Sequence, residues 1–134
     1  MNEADRKREL VKAVKALGGH ARRIEDSWAV GVLDLAIKLP GVPFIWAEGK
    51  IIHGNLFGPT PAQFAEGEKW IKAGVDAVLL GWQDSEMYIS QWVKQADKRE
   101  CFRSDNLSHA NALLAFLRVM PNAKETEHQD SLQP

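Results

Sequence analysis

Between Glu3 and Leu17 the apolar residues Leu10, Val11, Val14 and Leu17 recur at the three- and four-residue spacing of one helix face. Gly18-Gly19 stops the pattern, so a first helix is expected over this stretch. From His20 to Ile52 the period shortens to β-type runs, "HARRIED", "GVLDLAIK" and "PFIWAEGKII", with "LPGV" punctuating the last two. These predict three strands. "GPTPAQFAEGEKWIKAG" then sets Thr60 as N-cap and Pro61 at the first helical position, with Phe64, Gly67 and Ile71 on one face and Gly74 at the end. "VDAVLLGW" follows at once and is nearly all apolar, as a strand covered on both faces would be. A helix feeding directly into such a strand implies a βαβ crossover. "MYISQWV" is a candidate further strand, and "NLSHANALLAFLRVM" a final amphipathic helix carrying Leu113, Leu114, Leu117 and Met120, ended by Pro121.

The polar remainder, "NAKETEHQDSLQP", has the low hydrophobicity of a disordered tail. The expected fold is α/β: a mixed sheet of four to five strands flanked by helices, in the order α-β-β-β-α-β-(β)-α. One domain over residues 1–120 and a tail over 121–134 complete the expected organisation.

The third strand does not end as a core strand should. "WAEGK" places Glu48 and Lys50 where the chain enters the interior, and unpaired charges are costly there. If Pro40, Gly41 and Val42 form a three-residue hairpin loop, Leu39 faces Pro43, and counting outward along the ladder brings Asp34 opposite Glu48. Opposed side chains on such a ladder have Cβ atoms about 4.5–5.5 Å apart, a separation at which two carboxylates repel unless a cation or proton sits between them. By the period of two, Lys50 shares their face. The other face then carries Leu33, Leu35, Ile37, Ile45, Ala47 and Ile51, an apolar surface for helices to cover. Two opposed carboxylates suit a hard divalent cation such as Mg²⁺, with Mn²⁺ as substitute, and the lysine can orient a water or stabilise charge on a phosphate. Metal-dependent phosphodiester hydrolysis is the chemistry this implies. The bland alternative is an Asp34–Lys50 salt bridge with Glu48 as bystander, but a buried ion pair is an expensive way to hold two strands together.

Length and charge narrow the setting. A chain of 134 residues that is 45% hydrophobic is sized for one core. No apolar run approaches the roughly 18 residues a membrane helix needs, and "MNEADRKREL" has no secretory h-region, so no membrane partner and a cytoplasmic location are expected. The net charge of −1 decides nothing by itself. Its distribution does more: Arg6, Lys7, Arg8, Lys12, Lys15, Arg22 and Arg23 crowd the first quarter, whereas Glu125, Glu127 and Asp130 lie near the end. Lone Cys101 has no partner for an internal disulfide and no ligand spacing around it.

With these residues in view the chain resembles the PD-(D/E)XK nuclease superfamily. Asp34 followed by Glu48-Gly49-Lys50 after a hairpin looks like its D…(D/E)xK signature, while "RRIEDSWAVGVLDL" and "PTPAQFAEGEKWIKAGVDAVLL" resemble the flanking segments of the VRR-NUC-like branch and its small phage-encoded relatives. The match covers roughly residues 20–82. Leu33 stands where proline is usual, and Gly49 where a bulkier apolar residue is usual.

The resemblance implies a restriction-endonuclease-like core in which Asp34 and Glu48 bind the metal, Lys50 serves the water and Gln63 supports the site. It also implies a further acidic residue, with Glu3 in line with Leu10, Val14 and Leu17, Glu9 pointing away from that stripe, and Glu25 able to substitute from the strand beside Asp34. Gln63 has a second reading compatible with the first, since it completes a capping box with Thr60.

The functional expectation is a metal-dependent DNA endonuclease, structure-selective for branched or junction DNA. Arg22, Arg23, Lys12 and Lys15 would lie on the phosphate backbone, and a homodimer would allow symmetric cutting. Two other classes compete with it: a catalytically inactive DNA-binding or defence-inhibiting module, and a protein-binding subunit using the last helix and the acidic tail. The histidines show no ligand spacing, although His53 lies in a loop leaving the site strand. Core packing is the default for the five tryptophans; Trp28, in the loop segment "DSWAVG", is a candidate for stacking on a base but is not assigned that role.

Overall fold

Asn2 opens helix α1, Glu3–Ala16, through a capping box in which its side chain accepts from the Asp5 N–H and Asp5 answers from its own side chain. Gly18, at φ 87°, carries the chain out of the helix in a conformation that favours glycine. Strand β1, His20–Arg23, then begins a meander with β2, Leu35–Lys38, and β3, Ile45–Ile51. The computed structural model describes residues 2–24, 31–105 and 107–120. Glu25, Trp28 and the expected tail over 121–134 lie outside the described residues.

The hairpin register is the one the loop length predicts, with Leu35 opposite Ala47, Ala36 opposite Trp46 and Ile37 opposite Ile45. After a short strand β4, Leu56–Phe57, helix α2 spans Pro61–Lys72 and returns the chain to β5, Asp76–Gln83. β5 runs parallel to β3, which is the expected crossover. β6, Glu86–Gln91, pairs antiparallel with β5. Beyond it, β7 (Ala96–Asp97) pairs with β4, a 3₁₀ turn follows at Lys98–Glu100, and β8 (Phe102–Arg103) adds an edge to the main sheet. Helix α3, His109–Val119, closes the described chain behind its N-cap Ser108.

The six-stranded mixed sheet has the order β1-β2-β3-β5-β6-β8 and is covered on both faces. One face is closed by α1 and α3, whose Leu10, Val14, Leu113 and Leu117 pack on Leu35, Ile37, Ile45, Ala47, Val78, Leu80 and Trp82. α2 covers the other, setting Phe64, Trp70 and Ile71 against Ile52, Phe57, Ala77, Leu79 and Trp92. Gly67 permits that approach, since a Cβ there would meet the Trp92 ring at 2.2 Å, and the Trp92 indole donates to the Phe64 carbonyl at 3.1 Å. β5 alternates between the two layers and is buried almost throughout, which is why it reads as continuous apolar sequence.

The structure corrects the expected strand from Gly31 to Lys38. β2 begins only at Leu35, and Leu33 does not share a face with it: Leu33 packs in the α2 layer, Leu35 in the α1–α3 layer. The chain therefore passes through the plane of the sheet at Asp34. β8, β4 and β7 also go beyond the expected elements, since two residues contain no period to read.

Candidate active site

Asp34 lies at this crossing point, one step beyond the paired part of β2 at the register position opposite Glu48. Its backbone N–H, no longer engaged in the ladder, donates to Glu48 Oε2 at 3.1 Å, while its carbonyl accepts from Ile24 N–H at 2.8 Å. Glu48 is fully buried on the α2 side of β3. Gln63 reaches it from the first turn of α2, donating Nε2–H to Glu48 Oε1 at 2.8 Å, while its own Oε1 accepts from the Thr60 N–H. The capping and the supporting roles of Gln63 are thus carried by opposite ends of one amide. Lys50, two residues along the same face and 27% exposed, holds its ammonium 3.3 Å from Glu48 Oε1.

A fifth group enters from the other layer. Lys7 on α1 is buried, and its ammonium is paired with Asp34 Oδ2 and, at 3.1 Å, with Glu3 Oε2. Gly49 makes this possible: a Cβ at that position would stand 2.5 Å from the Trp82 ring and 3.3 Å from Lys7 Cε. The small residue in the E-x-K segment is where the stem of Lys7 passes. By its sequence pattern alone, Lys7 reads as one of the basic residues of a solvated helix. The signal that places it is nevertheless present, because 7, 10, 14 and 17 form one stripe and Glu3 precedes Lys7 by one turn.

The charges are unevenly satisfied. Burial, reinforced by the hydrogen bond and the charge of Asp34, pushes Glu48 up to about 8, against the opposing pull of Lys50 and Lys7. Burial draws Lys7 down, but its hydrogen bonds to Asp34 and Glu3 and their charges outweigh this and hold it above its usual value. The raised proton affinity of Glu48 thus follows first from its burial and then from the neighbouring Asp34 carboxylate.

The expected DNA-contacting residues gather elsewhere. Arg8, Lys12, Lys15, Arg22 and Arg23 line a shallow groove of about 320 Å³ between α1 and the edge strand β1, floored by Val11 and Ala21. Arg23 pairs across the ladder with Leu35, the residue after Asp34. Glu3 is in the site but as the partner of Lys7, and Glu9 is exposed on α1. Glu25 lies outside the described residues. His53 is exposed in the turn after β3, bridged to Leu56. Burial raises the Cys101 thiol, helped by Asp97 and Glu100, so it is a weak nucleophile.

No protein-family profile matches the chain, and no curated protein matches it. Solved structures do. The fold resembles that of a Holliday junction resolvase. Hjc from the archaeal hyperthermophile Archaeoglobus fulgidus matches with a TM-score of 0.62 at 12% sequence identity, over 84% of this chain and 98% of that one. At that identity the likeness carries the α/β fold, with its mixed sheet between helices. Among the described residues no helix is long and apolar enough to cross a membrane.

Whether the site suits a divalent cation can be judged from its donors. Among the described residues no group of three or more His, Cys, Asp or Glu side chains forms a cage. Asp34 and Glu48 nevertheless offer adjacent carboxylate oxygens, and Mg²⁺ or Mn²⁺ binds through one or two carboxylates while keeping several waters. Glu48 is fully buried with the Lys50 ammonium at only one of its oxygens, so a cation held by both carboxylates would add positive charge where the buried pair faces itself.

Proposed function

We propose that the chain is a divalent-metal-dependent DNA endonuclease of the PD-(D/E)XK kind, in its VRR-NUC-like branch, acting on branched or junction DNA. The observation that carries this reading is the convergence of Asp34, Glu48 and Lys50 across the β2–β3 hairpin, with Gln63 bonded behind Glu48. It is supported by the likeness in fold to a protein described as a Holliday junction resolvase. Fold alone does not carry function, so the weight rests on the residues.

In this reading Asp34 and Glu48 hold Mg²⁺, with Mn²⁺ as substitute. When bound there, such a cation would supply Lewis-acid polarisation of the scissile phosphate and make an attacking water more acidic. Lys50, partly exposed beside Glu48, orients the attacking water and stabilises negative charge developing on the phosphate. Gln63 fixes the rotamer of Glu48 by its hydrogen bond, and the α2 capping box fixes Gln63. The groove of Arg8, Lys12, Lys15, Arg22 and Arg23 carries the DNA backbone toward Asp34. Symmetric cutting of two strands requires two such sites related by a two-fold axis, hence a homodimer as the active species.

A second reading, a nuclease fold kept for DNA binding without cleavage, draws on one observation: Asp34 is already paired with Lys7. Supercoiled plasmid incubated with Mg²⁺ or Mn²⁺, and in parallel with EDTA, separates the two. Metal-dependent relaxation or linearisation supports the endonuclease. A folded protein that shifts DNA in a gel but leaves the plasmid supercoiled supports the inactive module.

A further inference from the structure

The ammonium of Lys7 sits where positive charge is needed at Asp34, and it is built in. Its side chain is 8% exposed, its stem passes over Gly49 beside the Trp82 ring, and its head is held by Asp34 on one side and Glu3 on the other. An exposed lysine could swing away at no cost, but this one is anchored along its length. Asp34 Oδ2 is therefore engaged by a tethered cation before any free ion arrives. Glu48 is less well served, since Lys50 approaches only one of its oxygens and that oxygen also accepts from Gln63.

We propose that Lys7 is an internal counter-cation that competes with a divalent metal ion for Asp34, so that this chain's own lysine sets how weakly the site binds metal. The inference rests on the assignment of Asp34 and Glu48 as the metal-holding pair. It goes beyond it by assigning a role to a helix residue that touches neither Lys50 nor Gln63. When an ion binds, the Lys7 ammonium gives up Asp34 and keeps Glu3, which lies one helical turn away and is 41% exposed, with room to move. Metal occupancy and the Lys7–Asp34 pair are thus mutually exclusive states of one site.

The test is Mn²⁺ affinity, measured by calorimetry on the full chain, for wild type and Lys7→Met, a change that keeps the apolar stem and removes the charge. Lys7→Met is expected to bind Mn²⁺ at least about tenfold tighter, and adding Asp34→Asn to it should abolish the gain. Its melting temperature should be lower than wild type without metal and should rise more than wild type on adding Mn²⁺. Equal or weaker Mn²⁺ binding by Lys7→Met, or no binding by either protein, overturns the proposal.

Should the variant fail to fold even with Mn²⁺, the wild type decides. The ¹³Cε resonance of Lys7 must move during a Mg²⁺ titration, and a resonance that stays in place while metal binds overturns the competition. Plasmid cleavage is scored separately. Tighter metal binding by Lys7→Met with no cutting by wild type keeps the counter-cation and refutes the nuclease, while cutting by wild type with equal affinities does the reverse.

Discussion

Glu48 is fully buried beside a second carboxylate, and its pKa is pushed up to about 8 from a usual value of 4.5. A carboxyl whose folded pKa lies above its unfolded one favours folding while both states are protonated, and that contribution is lost as pH rises through the folded value. The metal-free protein should therefore lose stability between about pH 4.5 and 8. Lys7, also raised, contributes over this whole window and loses its share only at more alkaline pH. Urea midpoints across roughly pH 5–9 should fall for wild type and fall less for Glu48→Gln, which has no proton to release; parallel slopes would remove Glu48 as the source.

Gly49 makes a second prediction at this scale. Gly49→Ala drives a Cβ to 2.5 Å from Trp82 and should cost about 1–3 kcal/mol in urea unfolding, as overpacked cores do. Its metal affinity should change too, because the same Cβ displaces the stem of Lys7.

At the scale of elements, α2 links a helix start to the site. Thr60→Ala removes the side-chain acceptor for the Gln63 N–H and should cost about 1 kcal/mol while leaving Gln63 Nε2 on Glu48. Gln63→Ala removes both of that side chain's bonds and should lower stability and, in the nuclease reading, cleavage as well; equal cleavage by the two variants would make Gln63 a cap alone. Much of this architecture was readable in the chain. Three residues between Leu39 and Pro43 fix the β2–β3 register, and a register puts Asp34 opposite Glu48 whatever else the fold does. The α2–β5 crossover was readable from Gly74 followed by "VDAVLLGW". Leu33 was misplaced because period-two alternation assumes an unbroken strand, and the chain crosses the sheet at Asp34. Lys7 was missed because which flank of a helix meets a sheet depends on packing between elements far apart in sequence. The stripe it extends and the Glu3 one turn before it were visible, but nothing local said that a lysine there would also reach Asp34.

At the scale of the molecule, the fold sets a basic groove between α1 and β1 on one face of the sheet and Glu48 with Lys50 and Gln63 on the α2 side, with Asp34 at the crossing between the two layers. If DNA lies in that groove, replacing Lys12, Lys15 and Arg22 together by Ala should weaken binding to any sequence and flatten its salt dependence, with the log–log slope falling by about 0.9 for each phosphate that is no longer neutralised. An unchanged slope would move the DNA to another face. Everything proposed for cleavage depends on Asp34, Glu48 and Lys50 acting as one metal-dependent cutting site. The most direct test is cleavage of an end-labelled four-way junction, beside a linear duplex of matched sequence, by wild type, Lys50→Ala and Asp34→Asn in Mg²⁺. Junction cutting is expected from wild type alone, abolished by EDTA. Cutting that survives in either variant, or a folded wild type that binds the junction and never cuts it, would contradict that assignment.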